Sequence, residues 1–309
     1  MRRLLICALA ICTVALSTVN GQQAQNPSPM VEHTRAHRRL VEQSPPGRRE
    51  KLDLGTLFLP AGLGLDKSLA LDKHLALDKR GGPDKLPRLT KRPAILFFFH
   101  GGTWLPEVAA ALNHVAVVSV QAGSGSAAYA QLFDDPQRFL GLLRDAESKA
   151  GARFGRVMLG SWSAGCGAIR QILNTPESYR RVDGVLLIDG IHTGYVDGKP
   201  GPLESSIDAD NLQIWLKLGR DAMALRKRAI VTHSEIFPGT FASTTETADY
   251  VVAQLGLARR AVLNWGPMGL QQLSEVRAGR FLLIGYAGNS APDHVDQLHS
   301  LPVFLKWLK

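Results

Sequence analysis

The sequence is poor in cysteine, with three in 309 residues. Cys7 and Cys12 lie in an apolar N-terminal segment, so Cys166 is the only thiol in the remainder of the chain. One thiol cannot form an intramolecular disulfide, which excludes a disulfide-stabilised scaffold. No set of His, Cys, Asp and Glu residues has the spacing of metal ligands, so the sequence predicts no metal site.

Most of the chain also lacks an excess of charge of either sign. The net charge is +9, but residues 1–92 hold 16 Lys and Arg against 8 Asp and Glu, whereas residues 93–309 hold 20 against 19. The globular part is therefore nearly neutral, and we expect no nucleic-acid partner. The basic excess belongs to the N-terminal region, where a solvated segment explains it.

No apolar run reaches the ~20 residues that a membrane-spanning helix needs. The longest, Leu4 to Val19, follows the basic pair Arg2 and Arg3 and precedes small residues that end at Gly21. This order is typical of a signal peptide over residues 1–21. We expect a secreted or periplasmic protein with no stable membrane insertion after cleavage; an uncleaved anchor is the alternative.

The next segments have little apolar periodicity. Residues 22–50 are polar and basic, with turn-rich ends, and predict a disordered spacer. Residues 63–90 contain LDKSLA, LDKHLA and LDKRGG, a six-residue repeat that lines no single face of a helix. We interpret this repeat as a solvated loop within a folded domain that spans residues 51–309.

From Pro93 onward, apolar runs that end in glycine or polar residues alternate with longer amphipathic segments. Near-continuous apolar strands separated by helices are typical of a parallel sheet covered on both faces. The sequence predicts one strand before the repeat and six after it. The fold class is α/β, with a single doubly wound, mostly parallel sheet flanked by helices.

Ligands of such sheets bind beyond the carboxyl ends of the strands, and several runs here end in reactive side chains. HGG follows one strand, GSWSAG ends a second, and LLIDG ends a third. These motifs, in this chain order, resemble the α/β-hydrolase superfamily, in which the nucleophile stands at a sharp strand-to-helix turn. The resemblance covers residues 52–309.

That turn requires small residues two positions before and after the nucleophile. Ser163 has Ser161 and Gly165 at those positions, whereas Ser161 would have Leu159 and Ser163. Ser163 is therefore the candidate nucleophile, and Ser161 takes the place of the usual first glycine. The alternative is an ordinary serine at a helix start.

The resemblance also implies an oxyanion hole of backbone N–H groups. Ala164 follows the nucleophile, and Gly102 or Thr103 follows the HGG turn. Such donors stabilise the negative oxygen of a tetrahedral intermediate by roughly 3 kcal/mol each.

The remaining members of a catalytic triad are a histidine after the last strand and an acid after an earlier one. His294 is favoured over His299, which lies further into the final helical segment. Asp189, at a strand tip, is ranked before Glu235, which follows the next strand. The acid orients the histidine and stabilises its protonated form.

These residues predict an exported serine hydrolase that acts on a small-molecule ester or acyl substrate without a cofactor. Carboxylic ester hydrolysis through an acyl-enzyme is the leading hypothesis. A peptidase or amidase could use the same triad, since the fold does not fix the leaving group. A catalytically silent hydrolase fold that acts as an envelope binding protein is the alternative from another class.

Overall fold

A computed structural model describes residues 39–65, 92–198 and 206–309, which all belong to one compact unit. They form a ten-stranded sheet in the order β1-β2-β4-β3-β5-β6-β7-β10-β9-β8. The six central strands, from β4 to β10 in that order, are parallel. Antiparallel pairs β1-β2 and β9-β8 extend the two edges. The fold is α/β and mostly parallel, as the sequence predicts.

The described residues contain ten strands and nine α-helices. The strands are β1 Gly47–Lys51, β2 Thr56–Pro60, β3 Ala94–Phe99, β4 Ala116–Val120, β5 Arg156–Trp162, β6 Gly184–Ile188, β7 Arg228–His233, β8 Arg260–Trp265, β9 Gln271–Ala278 and β10 Phe281–Tyr286. The helices are α1 Trp104–Asn113, α2 Ser126–Gln131, α3 Arg138–Ala150, α4 Cys166–Asn174, α5 Pro176–Arg181, α6 Gln213–Met223, α7 Thr244–Gln254, α8 Ala291–His299 and α9 Leu301–Leu308.

Two apolar layers hold the helices against the sheet. Alternate residues of a strand point to opposite faces, so Phe97 and Phe99 enter one layer and Leu96 and Phe98 the other. Helices α3, α4, α6 and α7 cover the first layer, and α1 and α9 cover the second. Fully burying one such phenylalanine is worth about 1.5–3 kcal/mol. Burial on both faces explains why the central strands are almost continuously apolar.

The structure differs from the prediction at both edges of the sheet. Residues 47–51 form an edge strand, although the sequence places them at the end of a disordered spacer and at the start of the domain. Four of the five residues of β1 are exposed, so the strand shows no apolar alternation. The β8-β9 hairpin is also exposed along β8 and escaped prediction for the same reason.

Other predicted segments lie outside the described residues. These are the signal peptide at residues 1–21 and almost all of the repeat at residues 63–90. Across the described ranges, no helix is both long and apolar enough to cross a membrane.

Candidate active site

The candidate nucleophile lies at a sharp turn between β5 and α4. Ser163 begins a short 3-10 turn and has a φ of 50°, in the left-handed region that non-glycine residues rarely occupy. A Cβ at Gly165 would lie 2.1 Å from the carbonyl oxygen of Phe99, and one at Gly167 would lie 1.9 Å from that of Ser126. Glycine is therefore required for α4 to pack this closely against β3 and α2.

The other serine of the motif is buried in the sheet. Ser161 pairs with Phe99 of β3 and Leu187 of β6, and its side chain is 0% exposed. Its hydroxyl has no hydrogen-bond partner among the described residues. Ser161 thus fills a position that admits only a small residue, and its hydroxyl is not available to a substrate.

The candidate acid and base meet across 105 residues of sequence. Nδ1 of His294 lies 2.6 Å from Oδ2 of Asp189, which directly follows β6. Asp189 is 1% exposed and has a φ of 44°. The next residue, Gly190, packs against the backbone of Ser163, since a Cβ at Gly190 would lie 3.0 Å from the Ser163 oxygen. The strand ends therefore bring the three candidates into one neighbourhood.

Four donors surround the Asp189 carboxylate. Oδ1 accepts hydrogen bonds from the Ser234 backbone N–H and the Thr244 hydroxyl, both 2.8 Å long. Oδ2 accepts one from the Ser234 hydroxyl at 2.7 Å and faces His294. Burial alone would raise the pKa of Asp189, but His294, followed by the Ser234 and Thr244 bonds, lowers it below its usual value. The carboxylate is held ionised in a fixed orientation.

His294 lies in the first turn of α8. The helix begins ahead of it because Ser290 and Asp293 form a capping box and Pro292 occupies its first turn. The ring of His294 packs on Trp162, with centroids 4.4 Å apart, and Trp162 Nε1 donates to the His294 carbonyl oxygen. Trp162, next to the candidate nucleophile, thus fixes both the ring and the backbone of His294.

The two competing candidates lie elsewhere. The side chain of Glu235 is exposed and makes no hydrogen bond within the described ranges, while its backbone N–H donates to Gly288. His299 accepts a hydrogen bond from the Leu40 backbone N–H and packs edge-on against Trp104. The structure therefore does not bring Glu235 or His299 into contact with the Asp189–His294 pair.

The HGG turn lies beside the same tryptophan. The His100 ring stacks on Trp162 at 5.0 Å, and its Nδ1 lies 2.9 Å from the Tyr129 hydroxyl. Burial, and then the charge of His294, lowers the pKa of His100, so this ring is neutral at physiological pH. His100 therefore acts as packing for the turn.

The candidate nucleophile, acid and histidine follow β5, β6 and β10 in chain order, at the carboxyl edge of one parallel sheet. The chain has the α/β-hydrolase fold. In this fold the site depends on residues distant in sequence, and two donors to the acid, Ser234 and Thr244, carry no local signal that would have identified them.

Among known proteins, similarity to this chain is found in solved structures. No family model and no curated protein sequence matches the chain. Solved structures with similarity include an acylaminoacyl peptidase of Pyrococcus horikoshii, at 13% identity and TM-score 0.43, which covers 87% of this chain. This chain spans only 41% of that peptidase. Thermogutta terrifontis esterase 2 has 13% identity and TM-score 0.41, covering 84% of this chain and 92% of its own. An acetyl xylan esterase from Aspergillus awamori has 13% identity and TM-score 0.39, and the match covers 70% of this chain and 90% of that esterase.

The candidate oxyanion donors of this hydrolase fold differ in availability. The Gly102 N–H donates to Oε1 of Gln121 at 3.3 Å, and Nε2 of Gln121 donates back to the Gly102 oxygen. Thr103 precedes α1, and Ala164 lies in the turn before α4, where backbone N–H groups have no acceptor within the helix. Ala164 and Thr103 are therefore better placed than Gly102 to meet a substrate oxygen.

Two further side chains of reactive types near the site, Cys166 and His192, are kept unreactive by burial. Burial raises the pKa of the Cys166 thiol to about 11, so it remains a packed, protonated group. Burial lowers the pKa of His192 to about 4, and neither ring nitrogen has a hydrogen-bond partner among the described residues. In the described part of the chain, no group of His, Cys, Asp and Glu side chains could hold a metal ion.

The buried position of His233, at the end of β7, indicates that acid destabilises the folded state. Its Nδ1 faces the Ser234 oxygen at 3.2 Å, and its Nε2 lies 2.8 Å from Nη1 of Arg259, so the neutral ring accepts a hydrogen bond from Arg259. Burial, and then the Arg259 charge, lowers the pKa of His233 to about 4. The unfolded chain binds a proton near pH 6.5 and the folded chain does not, so stability falls as the pH drops from 6.5 towards 4.

We expect His233 alone to cost about 2 kcal/mol of unfolding free energy between pH 7 and pH 5. Urea titrations at both pH values would measure it. The matched variant is His233→Gln, whose side-chain oxygen can still accept from Arg259 but does not titrate. An equal pH dependence in the parent and His233→Gln would contradict the assignment.

Proposed function

We propose that the protein is a serine hydrolase that cleaves carboxylic esters, with Ser163 as nucleophile, His294 as base and Asp189 as acid. The observation that supports this most strongly is the 2.6 Å contact between His294 and buried Asp189, beside the elbow at Ser163. Such a pair holds one histidine tautomer and stabilises the imidazolium that forms when the serine loses its proton.

The proposed reaction has two half-steps. Ser163 Oγ attacks the ester carbonyl as His294 takes its proton, and the N–H groups of Ala164 and Thr103 face the developing oxyanion. The proton then passes from His294 to the departing alcohol, which leaves an acyl-enzyme. Water, deprotonated by His294, then attacks the acyl carbon; the bond between this carbon and Ser163 Oγ breaks, the acid leaves, and His294 returns the proton to Oγ. The proposed steps use only water and groups of the protein itself.

Exposed aromatic side chains near the candidate site favour a substrate that carries an apolar group. The Phe241 ring packs edge-on against His192, three residues beyond Asp189, and is 39% exposed. Phe237, in the same loop, is 56% exposed. Exposed aromatic side chains beside a catalytic centre favour an aliphatic or aromatic acyl group over a charged one.

A fluorophosphonate probe tests the nucleophile without an assumed substrate. Attack by Ser163 forms an Oγ–P bond and expels fluoride, so intact mass should increase by one adduct, and peptide mapping should place it on Ser163. An adduct on Ser161 would refute the assignment. Absence of any adduct on folded protein would favour a catalytically silent binding protein, and faster turnover of aryl amides than of matched esters would favour an amidase.

Export is a separate proposal that rests on residues 1–21. N-terminal sequencing of protein recovered outside the cytoplasm should begin at Gln22 or close to it. A mature chain that begins at Met1 would contradict cleavage.

A further inference from the structure

A cluster of four arginines surrounds a small cavity at the edge of the sheet opposite the candidate active site. The cluster consists of Arg156, Arg226, Arg228 and Arg280, and the cavity has a volume of about 130 Å³. Strands rise about 3.3 Å per residue, so Arg156 and Ser163, at opposite ends of β5, lie roughly 20 Å apart. The cavity is therefore separate from the hydrolase site.

Strand register brings these side chains together. Arg156 begins β5 and Arg228 begins β7, while Arg280 immediately precedes β10. Strand β6 lies between the first two, and β7 and β10 are direct neighbours. Since parallel neighbours are about 4.8 Å apart, the amino ends of these strands place the guanidinium groups around one opening.

Two of these charges have no acidic partner. Arg226 is paired with Asp221, and Arg156 donates to the C-terminal oxygen of Lys309. No carboxylate of the described residues lies within 4.0 Å of Arg228 or Arg280, which each use Nη1 for a backbone oxygen: Arg228 donates to Trp307 at 2.6 Å and Arg280 to Leu225 at 3.0 Å. Most of their five N–H donors remain available.

The cavity contains one opposing charge. Asp183 lines it, but one of its carboxylate oxygens already accepts a hydrogen bond from the Val157 backbone. Burial, and then the charges of Arg280 and Arg156, lowers the pKa of Arg228. Mutual repulsion of unpaired guanidinium groups is relieved by an anion that accepts from several of them.

We propose that this cavity binds a doubly charged phosphate group, either as inorganic phosphate or as the end of a small phosphate monoester. Planar guanidinium groups match the oxygens of phosphate with paired N–H donors. A groove of about 460 Å³ shares Arg228 and Arg280 with the cavity and is lined also by Arg277, Phe281 and Trp307. The groove gives the organic part of a monoester a place to lie.

Isothermal titration calorimetry of the full chain with inorganic phosphate tests the proposal. The titration is done at low ionic strength, above the second pKa of phosphate, because salt screens exposed charges. We expect one saturable site, and Arg228→Gln and Arg280→Gln should each weaken binding about tenfold. Phenyl phosphate provides the second arm: tighter binding than inorganic phosphate identifies a monoester, and equal binding identifies free phosphate.

The matched control is Arg144→Gln, because Arg144 is an exposed arginine on α3, outside the cluster. It should bind phosphate like the parent, as should Ser163→Ala, so a failure of the proposed hydrolase function leaves this result unaffected. Arg228→Lys retains the charge if Arg228→Gln does not fold. Absence of a saturable site, equal affinity in both glutamine variants and the parent, or displacement by chloride at matched ionic strength would overturn the proposal.

Discussion

Replacing Ser163 by alanine is expected to lower kcat for ester hydrolysis by about 10⁵–10⁶-fold, since no acyl-enzyme can form without the hydroxyl. Hydrolysis of a short aryl ester under saturating substrate measures it. The fold should survive, because alanine removes only an oxygen from a side chain that is not fully buried. Residual turnover should reflect the oxyanion donors and substrate binding alone.

Ser161→Ala is the matched control. The buried Ser161 hydroxyl has no partner among the described residues, so its removal leaves no donor or acceptor unpaired. We expect unchanged kcat and equal or slightly greater thermal stability. A loss of activity in Ser161→Ala similar to that in Ser163→Ala would show that the reactive serine has been misassigned.

The second large effect is expected for Asp189→Asn, which should lower kcat by about 10³–10⁴-fold. An asparagine can direct an N–H towards Nδ1 of His294, which favours the tautomer whose Nε2 cannot take a proton from the nucleophile. The change also removes the charge that stabilises the imidazolium. Saturation kinetics with an ester should show the loss in kcat, with little change in KM.

Glu235→Gln is the control for the acid. The Glu235 side chain is exposed and separate from His294, so kcat should remain within about twofold of the parent, as is usual for a surface change that touches no catalytic group. Circular dichroism should show that Asp189→Asn is folded, because asparagine can still accept from Ser234 or Thr244. Similar small losses in both variants would mean that neither carboxylate serves the histidine.

The sequence predicts the centre of this fold better than its edges. Strands β3 to β7 and β10 are buried on both faces, so their apolar runs identify them without further information. Strand β1 is GRREK, and β8 is exposed at five of its six positions. Such strands exist because a neighbour supplies hydrogen bonds, and their own residues give no periodic signal.

The same limit applies to the site. Small neighbours favour Ser163 over Ser161 because steric exclusion acts within five residues of sequence. The choice between Asp189 and Glu235 depends on which strand tip faces α8, and the donors Ser234 and Thr244 come from two further elements. Residues that are neighbours in sequence carry no information about these long-range contacts, so the contacts are seen only in the folded chain.

The left-handed backbone at Ser163 and Asp189 has a consequence for how the sequence can vary. Holding a non-glycine residue in such a conformation costs on the order of 1 kcal/mol or more, and glycine would remove that cost. Selection for stability alone would thus favour glycine at position 163, whereas at position 189 the hydrogen bonds that the buried carboxylate accepts from Ser234 and Thr244 offset the strain. Among related chains, retention of serine at position 163 would therefore mark lineages under selection for chemistry, and retention of aspartate at position 189 would not distinguish chemistry from stability.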